Sequence, residues 1–376
     1  MNKKINSIQL LRAIAVILVI YNHSFIISRG NNFSDSLQSH FLNVRHWTSI
    51  GLDLFFVVSG VIMTIVTKSY LKKPDGWFEF LLKRMVRILP LYWLLSIVVY
   101  FERYAIHHPV THGEIAKTIL FFPVFAARDA LLPIIGQGWS LSLEIYFYLI
   151  IVIALVFKPK QLFRPLIVTL IILGVVGCFI DPKSVLIKFL CTPILFEFAF
   201  GVAVGIGYQY FMARYDQKKL STVKILSVTA TIIGLALMLA SLLYDSDGIS
   251  SPAIILTDNG MALARSLIWG LPCSIFVFGL MFMEQAFELT IPVIWIKIGD
   301  ASFSGYLIHM LVILTVGKLY PKFGLNNGDI FVIIATLFSI AVSLPVYQYL
   351  EKPLLNITNK LVFKPTTKKT QATVTI

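Results

Sequence analysis

Charge is what this chain has least of. Asp, Glu, Lys and Arg make up 14% of its 376 residues, where a water-soluble globular chain carries roughly a quarter. There are too few polar side chains to cover a water-facing surface, which excludes a soluble enzyme and a disordered chain. Cysteine is also scarce. Cys178, Cys191 and Cys273 lie in apolar stretches and form no metal spacing. That excludes a disulfide scaffold, leaves no metal expected, and predicts three small buried hydrophobes. Acidic residues number 19 against 32 basic ones, a net charge of +13. Such an excess suits nucleic acid, but a membrane protein gathers Lys and Arg on its cytoplasmic loops. No nucleic-acid partner is therefore expected. Long repeats and a soluble domain are absent as well. Apolar residues dominate instead, at 57%, including 29 Phe, 15 Tyr and 6 Trp. The class is all-α, a polytopic membrane protein in contact with membrane lipid.

Crossing a bilayer takes about 17–25 mostly apolar residues. About ten runs can do so: 8–27, 48–67, 87–102, 139–157, 165–182, 189–210, 225–244, 264–283, 301–318 and 330–350. The run 115–127 is too short and is expected to lie at the interface or re-enter. Of the 32 Lys and Arg, 21 fall on the side of the N-terminus, 9 on the other, and Arg12 and Arg265 within spans. The asymmetry predicts N-in and C-in ends. The basic start Met1–Lys4 before an apolar run resembles a signal peptide. No small-residue cleavage pattern follows, and Arg12 and His23 interrupt the run, so a retained helix is expected. The membrane domain is placed at 1–354 and a polar cytoplasmic tail at 355–376.

Ionisable groups inside spans cost at least about 2.5–3.5 kcal/mol each on insertion scales and are functional candidates. Arg12 and His23 are eleven residues apart. That is about 20° past three full turns, so both face one way, roughly 16 Å apart along the axis. Asp53 lies about five residues inside the outer end of the second run, and Glu144 about five inside the fourth. Counted from the helix ends, His23, Asp53 and Glu144 share one depth. A carboxylate beside a histidine can orient its ring and stabilise the imidazolium, as a general base needs. The bland alternatives are a buried packing histidine and carboxylates bonded to backbone or hydroxyls. On the inner side KRMVR (83–87) sets Lys83, Arg84 and Arg87 near Arg12. Topology signalling and snorkelling are the alternatives there; an arginine cluster also suits a polyanion such as a nucleotide phosphate.

In GDASFSGYLIH (299–309), Ser302, Tyr306 and His309 share a helix face by their spacing. Tyr306 and His309, with Trp139 and Ser140 at the start of the fourth run, are the candidate substrate-binding residues. Glu197 sits beside Gly201, Gly205 and Gly207, and close helix packing is expected there. Glu351, in YLEKPL (349–354), is expected to be an interfacial anchor or ion-pair partner.

LRAIAVILVIYNH (11–23), GLDLFFVVSG (51–60), KRMVRILPLYW (83–93), WSLSLEIYFYL (139–149), GDASFSGYLIH (299–309) and YLEKPL (349–354) together resemble the acyltransferase-3 family of integral membrane acyltransferases. The likeness runs from about Ile5 to Pro353. The family's Arg–x10–His pattern falls on Arg12 and His23, its Arg–x–x–Arg pattern on Arg84 and Arg87, and its acidic positions on Asp53 and Glu144. The resemblance implies O-acylation, usually O-acetylation, of sugars in surface polysaccharide or lipopolysaccharide, with acyl-CoA as donor. Only a short tail follows Pro353, so the extra C-terminal hydrolase-like domain of some members is not expected.

The resulting expectation is a sugar O-acyltransferase of the bacterial cytoplasmic (inner) membrane. Acetyl-CoA or another acyl-CoA is the co-substrate, its phosphates held by Arg12, Lys83, Arg84 and Arg87. The acceptor is a surface polysaccharide or lipid-linked saccharide. His23 is the base, oriented by Asp53 or Glu144; an acyl-histidine relay is the second route. The main rival is a transporter or flippase of polysaccharide intermediates, with His23 and the carboxylates as a proton relay. The sugar, acyl length and oligomeric state are left open.

Overall fold

Lipid cannot hydrogen-bond a backbone amide, so an apolar run in a bilayer must close its bonds within itself. The computed structural model describes residues 5–34, 47–105, 107–121, 132–157, 161–180, 184–214, 220–243 and 247–363. Among these residues the regular structure is helical; one isolated bridge joins Ser34 to Asn327. Twelve helices carry the architecture. They are α1 (Asn6–Gly30), α2 (Ile50–Thr67), α3 (Gly76–Ala105), α4 (His112–Leu120), α5 (Trp139–Val156), α6 (Phe163–Phe179), α7 (Leu195–Ala213), α8 (Leu220–Ala240), α9 (Asn259–Ala286), α10 (Val293–Asp300), α11 (Ser302–Leu319) and α12 (Gly328–Val362). Nine of them are long and apolar enough to cross a membrane; α6 is apolar but only 17 residues long, and α4 and α10 are shorter. Each of the ten expected runs falls on one of these helices. The chain is a polytopic all-α membrane protein.

Three expected boundaries move. The third run begins not at 87 but at Gly76, so Arg84 and Arg87 stand within a 30-residue helix. Pro90 lies inside it and has no N–H, which leaves the Val86 carbonyl without its helical partner. The last run does not stop near 350. A π turn at Tyr347–Glu351 passes into a helical continuation, Lys352–Val362, where a polar tail was expected. Its start places Leu354, Leu355, Thr358, Leu361 and Val362 on one stripe, and this segment packs on α3; residues from Lys364 on lie outside the described ones. In the 115–127 run, α4 is a nine-residue helix closed by a Thr111–Glu114 capping box. Partial burial pushes the Glu114 carboxyl up, but the Thr111 amide and Arg103 outweigh it and hold it below the usual range. Residues 122–131 are outside the described ones.

Depth in the bundle varies. In α2, 72% of the apolar window is buried, against 22% in α8, whose Ile225, Ile232 and Ile233 face outward. Such a face suits lipid. At the crossing of α2 with α7, a Cβ on Gly60 would sit 2.5 Å from the Phe198 carbonyl oxygen, and one on Gly201 2.0 Å from that of Val57. Only glycine allows that approach. Gly205 meets Thr64 in the same seam, while Gly207 meets nothing. The N-terminus of α1 is capped from across the fold: the Asn6 and Ser7 amides donate to the Glu284 carboxylate at 2.9 and 2.8 Å. This satisfies two orphan donors and complements the helix dipole, and it fixes the start of the helix that carries Arg12. Of the cysteines, only Cys273 is buried; Cys178 is exposed and Cys191 partly so.

Candidate active site

Five helices wall one cavity of about 780 Å³, its open mouth included. α1 contributes Arg12. α2 contributes the stripe Leu52, Phe55, Phe56, Ser59, Ile62 and Met63. α3 contributes Arg84, Arg87 and Ile88; α5 contributes Ser140, Leu141, Glu144 and Tyr148; α11 contributes Ser302, Phe303 and Tyr306. Each set repeats at helical spacing, so each helix offers one face. The lining is mostly apolar, with three cations against one carboxylate.

The arginines are under-bonded, with Arg12 and Arg84 buried and Arg87 half-buried. Arg12 is 6% exposed and donates one bond, to Gln9 at 3.1 Å. Arg84 is 8% exposed; its Nε has no hydrogen-bond partner, and its guanidinium lies 5.6 Å from the Phe80 ring and 5.8 Å from that of Tyr148. No hydrogen bond or ion pair joins Arg87 to a described residue. Glu351, expected as an interfacial anchor or ion-pair partner, is 3% exposed, accepts from Ser304, and acts on Arg87 and Arg12 through space. Lys83, grouped with the arginines from the sequence, points elsewhere. It is on the surface, paired with Glu79 at 2.8 Å, and does not line the cavity.

The expected common level of His23, Asp53 and Glu144 does not exist. Asp53 is fully buried and held by Arg265, whose Nε and Nη2 both donate to it at 2.8 Å. Two further Arg265 bonds go to the Ile249 and Ser49 carbonyls. Glu197, placed by the sequence in a packing role, is buried beside this pair and accepts from Ser266 at 3.2 Å. Glu144 accepts from Ser59 at 3.2 Å and from the Tyr148 hydroxyl. Ser59 is six residues beyond Asp53 on α2, or about 9 Å deeper. Counting from helix ends failed because α5 starts inside the bundle. The 3-10 turn Gly136–Gly138 leads into it, Ile135 is 3% exposed, and the Ile134 amide donates to Thr118 at 2.9 Å. Irregular backbone is tolerated at depth when protein encloses it.

Among the described residues, therefore, no carboxylate bonds His23. Its Nδ1 lies 2.9 Å from the Val19 carbonyl, and its ring centroid is 4.8 Å from that of His309. A carbonyl only accepts, so Nδ1 carries the hydrogen and Nε2 keeps its lone pair. Tyr306 joins this pair to the cavity: it lines the wall, and its ring is 5.9 Å from that of His309. Its hydroxyl donates to the Gln137 carbonyl at 2.7 Å and lies 2.6 Å from the Ser140 hydroxyl. Trp139 is buried away from the cavity. The cavity thus has an arginine end and an apolar barrel; neither histidine lines it, His309 lying one helical turn past Tyr306 with the His23 ring against it. Among the described residues no cluster of His, Cys, Asp and Glu could hold a metal ion. The partner that sequence reasoning left unassigned is Arg265. Its signal was available: a lone arginine inside one span and a lone aspartate inside another.

Comparison with known proteins gives a family and a relative. The profile described as an acyltransferase domain, the acyltransferase-3 type, matches residues 5–348. The exopolysaccharide production protein ExoZ of Rhizobium meliloti (strain 1021) is 27% identical over 333 residues, covering 83% of this chain and 91% of that protein. No solved structure matches the chain.

Proposed function

The chain belongs to the acyltransferase-3 family, and from that premise we propose that this multi-pass acyltransferase moves an acetyl group from acetyl-CoA to a hydroxyl of a surface polysaccharide or its lipid-linked precursor. The name of the ExoZ relative supports a polysaccharide acceptor. The observation that carries the reading is the cavity itself. Its under-bonded arginines lie at one end and a histidine with a free Nε2 lies past the other.

The donor's phosphates fit Arg12, Arg84 and Arg87, where the unpartnered Arg84 Nε offers a ready donor. The apolar stripe of α2 suits the uncharged arm that carries the thioester. His23 Nε2 takes the acceptor hydroxyl proton as the oxygen attacks the thioester carbonyl. The loop charges support a cytoplasmic arginine end; a cysteine at Lys72 that labels only from the cytoplasm checks this, and the membrane proposed for the protein is the bacterial inner membrane. The relay form of the rival transporter reading lacks its parts, since neither Asp53 nor Glu144 bonds His23.

The test is donor binding and acyl transfer by purified protein in detergent. His23→Ala is expected to bind donor normally and to lose about 10²–10⁴-fold in transfer rate, the usual worth of a general base. Near-normal transfer in His23→Ala or His23→Gln would remove His23 from the chemistry.

A further inference from the structure

Folding leaves a buried hydroxyl unbonded only at a cost. Ser302 carries such a hydroxyl. It is 1% exposed, its Oγ has no hydrogen-bond partner among the described residues, and it lines the arginine cavity. It is also the first residue of α11, an 18-residue helix whose first-turn amides cannot bond within the helix. Ala301, at the N-cap, offers them no side chain. The Ser304 amide is taken by Glu351, which also accepts from the Ser304 hydroxyl. The Ser302 and Phe303 amides donate to no backbone carbonyl and to no capping side chain among the described residues.

Two close approaches fix the level of this helix start. A Cβ on Gly299 would lie 2.1 Å from the Gln9 carbonyl oxygen, and one on Gly305 would lie 3.3 Å from Val16 Cγ2. Ser302 is midway between the two glycines, and Arg12 falls between Gln9 and Val16. α1 and α11 therefore run parallel here, and Ser302 stands at the level of Arg12. A helix N-terminus carries partial positive charge and presents its free N–H groups to an anion. This one starts beside three under-bonded arginines.

We infer that Ser302 is a donor-binding residue: its hydroxyl, with the Ser302 and Phe303 amides, receives a phosphate group of the acyl-CoA donor alongside Arg12. The inference rests on the donor reading and adds uncharged groups to a site otherwise made of cations. The two kinds of group do different work. Arginine charge attracts an anion from a distance, whereas a hydroxyl and two backbone amides are short and directional. They fix where one phosphate sits, and so where the thioester arm begins its path along α2. A packing role would be served as well by alanine, which brings no orphan hydroxyl.

Calorimetric titration of the purified chain with CoA in detergent, beside thermal unfolding, tests this. Ser302→Ala is expected to weaken CoA binding by roughly 10–100-fold, the worth of a hydrogen bond to a charged group, with the unfolding midpoint unchanged. Ser302→Thr keeps the hydroxyl and should bind close to wild type. Ser302→Asp separates binding from helix capping, because a carboxylate in the first turn favours the helix but repels a phosphate. Its midpoint should hold while CoA affinity falls by about 100-fold or more, as like charges brought together require. Unchanged affinity in Ser302→Ala would overturn the inference. So would a loss that tracks a lowered midpoint and is recovered in Ser302→Asp, which would leave Ser302 a helix-start residue. Intact CoA affinity in Ser302→Ala with weakened competition by phosphatidylglycerol would assign the phosphate to lipid and equally overturn it. Failure of the functional reading is distinct and shows as no CoA binding by the wild-type chain.

Discussion

Arginines stand inside this bundle in two sets, and they are treated oppositely. Arg265 makes four hydrogen bonds, two of them to Asp53, and is 1% exposed. Arg12, Arg84 and Arg87 share a cavity and, among the described residues, have a single hydrogen bond between them, from Arg12 to Gln9. A closed pair is part of the scaffold, because its charge is already matched. In the open cluster, Glu351 and Glu144 offset the charge only through space, which leaves bonding capacity for an anionic ligand. Burial alone does not mark a functional arginine; unmet bonding beside a cavity does.

The strongest way to break the comparison is at the closed pair. Arg265→Ala strands Asp53 beside Glu197 and is expected to cost about 3–5 kcal/mol of stability, as removal of one partner of a buried pair does. Thermal unfolding in detergent measures it. Asp53→Leu combined with Arg265→Met should recover much of the loss, since an apolar pair leaves no stranded charge. A stable Arg265→Ala protein that fails only in transfer would move Arg265 into the chemistry.

Opening the other set should act on binding. Arg84→Ala and Arg87→Ala are each expected to weaken donor binding by about 1.5–3 kcal/mol, one charge-assisted bond, with little change in the unfolding midpoint. Affinity should also fall with salt. Calorimetric titration with CoA reads both. Unchanged affinity in both variants would return these arginines to topology alone.

The smallest effect is predicted at Lys83, next to Arg84 in sequence but outside the cavity. Lys83→Ala removes an exposed ion pair to Glu79, for which a change of about 0–1 kcal/mol is typical. Donor affinity should stay at the wild-type value. A loss as large as that of Arg84→Ala would mean that the cluster extends to the surface when donor is bound.

The sequence by itself determined the class, the ten apolar runs and the arginine cluster. These follow from local rules: a bilayer forces long apolar runs to be helices, and a charge inside one stands out against its neighbours. Facial spacing was also legible, since Ser302, Tyr306 and His309 do share the strip that runs from the cavity to His23. Which helix meets which was not legible, and the pairings hung on it. Asp53 went to Arg265 because α9 crosses α2 there, and Glu144 went to the arginine cavity because α5 starts deep in the bundle. His23 was left to His309 because α11 runs beside α1. A side chain's spacing fixes the face it stands on, but its partner is fixed by packing between helices far apart in the chain. Only the tertiary structure decided that.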